Sequence, residues 1–228
     1  MSLADGELWL LALDTATRRI VVAAGNADGT TIREATWEAG YRHGETLLPA
    51  IGALIGESGI RRDRLRAVIV GTGPGAFTGL RVGLATAKGL ARSMGVPIVG
   101  VPTGEALLEA AAREMDGPLA LLLPAGPSDR VLVETGRSPR LIPGGVEPEL
   151  PPTTSVMALD LEGRAPAETL ARGERARAAL GASLLRLGAT RLAAGATDDL
   201  ATLVPEYVTL PRGVRTSGGE VTWSRGPR

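Results

Sequence analysis

The sequence has no cysteine and no glutamine, one asparagine (Asn26), one lysine (Lys88) and one histidine (His43) in 228 residues. Without cysteine there are no disulfides, no thiol nucleophile and no zinc–thiolate centre. A single histidine cannot build a histidine metal cluster, and a Ser-His-Asp arrangement could use only His43, which no nucleophile-elbow pattern accompanies. Poverty in Asn, Gln and Cys fits a thermophile, whereas poverty in Lys fits GC-rich coding. Aromatic residues make up 3%, so the core must rest on aliphatic side chains. The 25 basic residues balance the 25 acidic ones. That argues against a broad electrostatic nucleic-acid footprint while leaving room for a local basic patch. No apolar run approaches the roughly 20 residues that span a bilayer. The first residues lack the basic start and apolar stretch of a signal peptide, and the expectation is a cytoplasmic protein.

What the chain has in quantity is glycine, 31 residues, and its densest run is the most informative segment. Gly71 to Gly83 follows an apolar run, Leu65 to Val70, that reads as a buried strand, and leads into a helical pattern from about Thr78 to Ser93. Glycines where a strand hands over to a helix let backbone N–H groups converge on an anion, or they make a tight turn for close packing. No Gly-Lys-Ser/Thr closes a P-loop, although Gly71, Gly73 and Ala76 match the loose G-x-G-x-x-A form of a dinucleotide turn. Thr78 reads as the helix N-cap. Within the helix Gly75, Gly79, Gly83, Ala87 and Ala91 recur every fourth residue, a small face that lets a neighbouring backbone approach.

Upstream, Trp9–Leu13, Ile20–Ala24 and Thr31–Trp37 read as three strands joined by hairpins. The first ends in Asp14-Thr15-Ala16-Thr17, a turn that can hold a phosphate or hydrated ion or simply bond its own backbone. From Tyr41 to Glu57, Leu47, Leu48, Ile51, Leu54 and Ile55 form an amphipathic stripe, with Pro49 kinking the helix or marking its first turn. Four arginines between 61 and 66 make its exit turn. Ile98–Val101 is a strand, and a helix runs from about Thr103 to Met115. Leu119–Leu123 and Arg130–Glu134 pair, and residues 138–155 form a Pro-rich loop or edge. Val156–Leu161 is a strand, Ala167–Leu187 a helix interrupted by Gly173 and Gly181, and residues 212–228 a weakly ordered tail. No internal sequence repeat is evident. This order predicts an α/β protein with mixed sheets flanked by helices.

Several segments resemble one family. Leu13 to Thr17, Arg42 to Pro49, the run Gly73 to Gly83 continuing through Ala87 to Ala91, and Pro205-Glu206-Tyr207-Val208 are similar to the motifs of TsaB (YeaZ), densely over residues 8–105 and sparsely beyond. The resemblance implies an actin-like ATPase (ASKHA, ribonuclease H-like) fold. Its subdomains would span 1–103 and 104–210, with 211–228 a tail that is weakly ordered or returns to the first. It implies a non-catalytic partner subunit of the bacterial complex that forms threonylcarbamoyladenosine on tRNA. That subunit would bind a TsaD-type transferase and a TsaE-type ATPase and meet tRNA only indirectly, with a homodimer left open. The alternatives are a nucleotide-binding protein with weak ATPase activity and a glycoprotease-like peptidase.

On this resemblance Asp14, Thr15, Thr17, Gly73, Gly75, Thr78 and Gly79 are candidate phosphate turns for weak ATP or ADP binding, no cofactor being required. Leu47, Leu48, Ile51, Gly79, Gly83 and Ala87 are the candidate partner interface. No catalytic residue and no metal ligand is expected. Thr103 and Leu107 stand where the catalytic paralogue carries the two histidines of its His-x-x-x-His metal motif, and neither replaces imidazole. The segment Pro124 to Arg130 departs from the family's Asp-Ala-Arg type, its acidic residue displaced or lost.

Overall fold

A computed structural model describes residues 7–38, 40, 43–208, 214–217 and 220–223. Strands β1 (Trp9–Asp14), β2 (Arg19–Asn26) and β3 (Thr31–Glu38) form an antiparallel meander. Helix α1 (His43–Ser58) and a 3-10 turn (Arg62–Arg64) lead to β4 (Leu65–Gly71), which lies parallel to β1. Helix α2 (Phe77–Met94) then returns the chain to β5 (Ile98–Val101), parallel to β4, giving the sheet order β3-β2-β1-β4-β5.

After α3 (Thr103–Ala111) the pattern recurs. Strands β6 (Leu119–Pro124), β7 (Arg130–Glu134) and β8 (Arg140–Ile142) form a second meander, and β9 (Ser155–Ala158) adds parallel to β6. The order β8-β7-β6-β9 repeats that of the first four strands, a repetition the sequence does not display. Helices α4 (Ala167–Ala178) and α5 (Leu180–Ala193) follow, and β10 (Val214–Ser217) pairs with β11 (Glu220–Trp223). The remainder of the expected weakly ordered tail lies outside the described residues.

Alternation along the strands sorts the apolar side chains into layers. Leu11, Leu13, Val22, Val68 and Val70 pack under α1 and α2 with Leu47, Ile51, Leu54, Leu84 and Ala87. On the opposite face Leu10, Ala12, Val21, Ala67 and Ile69 meet α3, α5 and the inner face of the second sheet. α5 therefore leaves its own half of the sequence and lies across β1, β2 and β5. Gly188 makes this possible, since a methyl group there would collide with Ile69.

Two local readings are corrected. Thr78 is not the cap of α2; Ala76 is, with no side-chain bond, and its N–H donates to Ala16 O at 2.7 Å, so a tertiary contact sets the helix start. The break in the last helical segment falls at Ala179, not at Gly173 or Gly181. Those glycines lie inside helices because a Cβ at Gly173 would meet Ala158 O, and one at Gly181 would meet the Glu34 carboxylate. Pro49 lies within α1 without ending it. No helix among the described residues is long and apolar enough to cross a membrane.

The contact between Glu34 and α5 has a pH signature. Half-buried on β3, Glu34 accepts the Gly181 N–H at the helix start, yet burial pushes its carboxyl up to about 7. Folding then binds a proton that the unfolded chain releases at its ordinary value, so stability falls as pH rises between about 4.5 and 7. Glu34→Gln keeps an acceptor for the amide and removes the charge. It is expected to raise the melting temperature at pH 8 by about 2–4 °C, an effect held to about 1 kcal/mol because the side chain is partly wet. Melts at pH 4.5 should show little difference between the two proteins.

Candidate functional site

Because β1, β4 and β5 are parallel, their C-terminal ends gather Asp14, Gly71 and Thr103 at one edge of the sheet. Asp14 is fully buried. Its Oδ1 accepts the Ala16 N–H at 2.8 Å and its Oδ2 accepts the Thr103 hydroxyl at 2.6 Å. Burial pushes the Asp14 carboxyl up, and these two bonds pull part of the way back. Thr103 Oγ1 in turn accepts the Gly73 N–H at 3.0 Å. Gly71 is glycine because the Asp14 carboxylate lies against its Cα, and Gly73, at φ 106°, occupies the left-handed region that favours glycine.

The same pattern continues along the two turns. Thr15 Oγ1 donates to Gly79 O at 2.7 Å and Thr17 Oγ1 to Arg19 O at 3.0 Å. Ala16 O rests against the Cα of Gly75, and Thr15 Oγ1 rests against that of Gly83. The structure thus brings together Asp14, Thr15, Gly73, Gly75 and Gly79, but binds them to one another. Thr17 lies beside them, and Thr78 is exposed on the first turn of α2. Within the two turns the carboxylate, the Gly73 amide and the Thr15 hydroxyl are engaged with the protein itself. Gly75 and Gly83 serve this closure by admitting Ala16 O and Thr15 Oγ1, while Ala87 and Ala91 join the core under the first sheet.

Beside the turns lies a cavity of about 280 Å³ between the halves of the molecule, lined by Ala16, Thr17, Pro74, Phe77, Leu123, Val131, Asp160 and Glu206. Sequence reasoning missed what frames it. Glu206 N–H donates to Thr72 O at 2.7 Å, laying residues 205–208 along the glycine turn. The Tyr207 ring lies 5.3 Å from that of Phe77, and the Arg81 guanidinium sits 3.7 Å over Phe77 while its Nε donates to the Tyr207 hydroxyl. Across the cavity Asp160, at φ 55°, accepts the Arg18 N–H and pairs with buried Arg177, each at 2.8 Å, and Arg18 pairs with Glu162. The sequence signals for this frame were the Pro205–Val208 motif and the Gly73 to Gly83 run that holds Phe77 and Arg81. Asp129, the displaced acid of the 124–130 segment, accepts the Gly144 N–H at 2.9 Å instead of lining the cavity.

The proposed partner face needs a larger correction. Leu47, Ile51 and Ala87 are core residues, and Gly79 and Gly83 are buried against the Asp14–Thr17 turn. Of the six, Leu48 alone faces solvent, 54% exposed. Leu107, where the resemblance places a metal-ligating histidine, is fully buried in the core. His43 opens α1 with its side chain outside the described residues.

The family model for TsaD, tRNA N6-adenosine threonylcarbamoyltransferase, matches residues 37–208. The chain is 38% identical over 106 residues to the tRNA threonylcarbamoyladenosine biosynthesis protein TsaB of Escherichia coli (strain K12), covering 46% of this chain and 45% of that one. It is 33% identical over 127 residues to TsaB of Bacillus subtilis (strain 168), covering 56% and 53%. These matches span about half the length of the curated relatives. The solved structure of YeaZ from Pseudomonas aeruginosa superposes with a TM-score of 0.67 at 23% identity, covering 88% of this chain and 99% of that one. The architecture is the actin-like ATPase (ASKHA) fold, with two mixed sheets and helices on their faces.

Proposed function

We propose, from the premise that this chain belongs to the TsaB (YeaZ) family, that it is a non-catalytic partner subunit in the formation of threonylcarbamoyladenosine on tRNA, supporting a TsaD-type transferase. The observation that carries the reading is the Thr103–Asp14 bond. The position that resembles a metal ligand in the catalytic paralogue is spent here on satisfying a buried carboxylate. Leu107, one helical turn further along α3, fills the core instead of facing a site. In this reading the subunit needs no cofactor of its own and works in the cytoplasm. It also meets a TsaE-type ATPase within the complex, and the reading leaves a homodimer open.

Sedimentation velocity of the chain mixed with the TsaD-type paralogue of the same organism tests the reading. A one-to-one species is the expected result; two proteins that sediment separately would defeat it. The exposed face of α1, with Leu48 flanked by Gly44, Glu45 and Pro49, is the surface this reading assigns to the partner. Leu48→Asp is expected to leave the melting temperature unchanged within about 2 °C, as surface changes do. It should weaken the heterodimer about tenfold, the scale of truncating one interface anchor.

A further inference from the structure

The structure assigns a second surface, at the opposite end of the first sheet, to the phosphodiester backbone of a folded RNA. The Asp14 turn and the glycine turn lie at the C-terminal ends of the parallel strands β1, β4 and β5, so the N-terminal ends of these strands form the far edge. The 3-10 turn at Arg62–Arg64 delivers the chain to that edge, and Arg66 is the second residue of β4. Helix α2 runs back from the glycine turn and ends there, with Arg92 in its last turn, just before β5 begins.

Elsewhere the described arginines are spoken for. Most of those described pair with carboxylates, Arg81 lies over Phe77, and Arg164 donates to the carbonyls of Gly126 and Pro127. At this edge they are not. Among the described residues the side chains of Arg62, Arg66 and Arg92 enter no ion pair, hydrogen bond or ring contact. The Arg64 side chain enters no ion pair either, and its neighbour Asp63 is held by Arg61 at 2.7 Å. Of the other acids at this edge, Glu7 is already engaged, Asp28 accepts the Thr30 N–H, Asp198 accepts the Gly100 N–H at 2.7 Å, and Asp199 accepts the Ala201 and Thr202 N–H groups and feels Lys88. Among the described residues the uncommitted guanidinium groups thus lie on the elements that meet at this edge.

The composition of the patch selects the ligand chemistry. Arg62, Arg64 and Arg92 are exposed and Arg66 is half-buried. Guanidinium forks match phosphate oxygens in a paired geometry that ammonium groups lack. Among the described residues no aromatic side chain joins them, since Trp9 at this edge is buried with its indole N–H bonded to Arg61 O. Base stacking is therefore absent from the contact, which grips backbone without reading sequence. The inference rests on the tRNA-modification reading above and adds to it a direct RNA contact, made on the end of the subunit remote from the cleft.

The test is fluorescence anisotropy of a labelled, unmodified tRNA transcript titrated with the chain and its TsaD-type paralogue together, over a series of salt concentrations. Arg62→Glu/Arg64→Glu/Arg92→Glu is compared with a charge-matched control, Arg113→Glu/Arg137→Glu/Arg175→Glu, on the other half of the molecule. The patch variant should bind at least about tenfold more weakly than the control, and the slope of log affinity against log salt should shrink by about 0.7–0.9 for each phosphate no longer neutralised. Equal affinity of the two variants would overturn the assignment. So would retention by phosphatidylserine vesicles with no effect on tRNA. Sedimentation of the same mixtures separates the two readings: if the patch variant still forms the heterodimer, any change in RNA affinity belongs to the patch, and if wild-type protein forms none, the partner reading itself has failed.

Discussion

Thr103→Val is expected to lower the melting temperature by about 6–12 °C, although it removes one oxygen atom and changes no volume of consequence. Thr103 Oγ1 is the donor to the buried Asp14 Oδ2 and the acceptor for the Gly73 N–H. Its loss orphans two buried polar groups at once. Each buried group left without a partner costs about 1–3 kcal/mol, and a total near 3 kcal/mol spread over a chain of this length gives that shift. Thr103→Ser retains the hydroxyl and should recover most of the loss. A failure of serine to rescue would mean that the methyl group, not the bond, matters. The pH dependence adds a second readout. Without the Thr103 donor, burial pushes the Asp14 carboxyl further up. The loss should be fully present above the folded-state value and shrink as pH falls and the proton neutralises the group.

Gly83→Leu is expected to yield no folded protein, and Gly83→Ala to cost about 3 kcal/mol. A Cβ at position 83 would occupy the space of Thr15 Oγ1, whose hydroxyl is fixed by its bond to Gly79 O. Neither partner can retreat: Thr15 belongs to a turn pinned by Asp14, and α2 packs on β4. Overpacking of this kind displaces backbone, not just a rotamer. The same substitution six residues further along the same helix should have the opposite sign. Gly89 is exposed with nothing within 4 Å of its added Cβ, so Gly89→Ala should stabilise by about 0.4–1 kcal/mol through helix propensity and a less flexible unfolded chain. Thermal melts of Gly83→Ala and Gly89→Ala, side by side, check both.

That contrast marks where sequence reasoning stops. Periodicity along α2 identified which face is small, because a four-residue spacing places side chains in one row. It could not say whose backbone would fill the row, and the segment that does, Thr15–Ala16, lies sixty residues upstream in sequence. The first sheet was legible because its strands are apolar runs bounded by turn residues, and the glycine-dense handover from β4 to α2 is long and specific. Asp14 was identified and its bond to Thr103 was not, because the two meet only through the parallel register of β1, β4 and β5. The cap at Ala76 and the break at Ala179 escaped for a related reason: both are set by tertiary contacts, while Thr78, Gly173 and Gly181 are residues of the type that usually mark such points. The second meander hid its likeness to the first because the likeness lies in strand order, not in side chains.

Helix α5 has a consequence for synthesis. It covers one face of a sheet whose last strand ends at Val101, but its own last residue is Ala193. During translation that sheet has all its strands long before it has its cover. At 5–20 residues per second the wait is about 5–20 s, during which Leu10, Val21, Ala67 and Ile69 lack the part of their cover that α5 supplies. The nascent chain is therefore most exposed to misassociation, and most in need of a chaperone, in mid-synthesis, and a ribosome stalled between the two helices α3 and α5 would display a sticky half-molecule that the finished protein never shows.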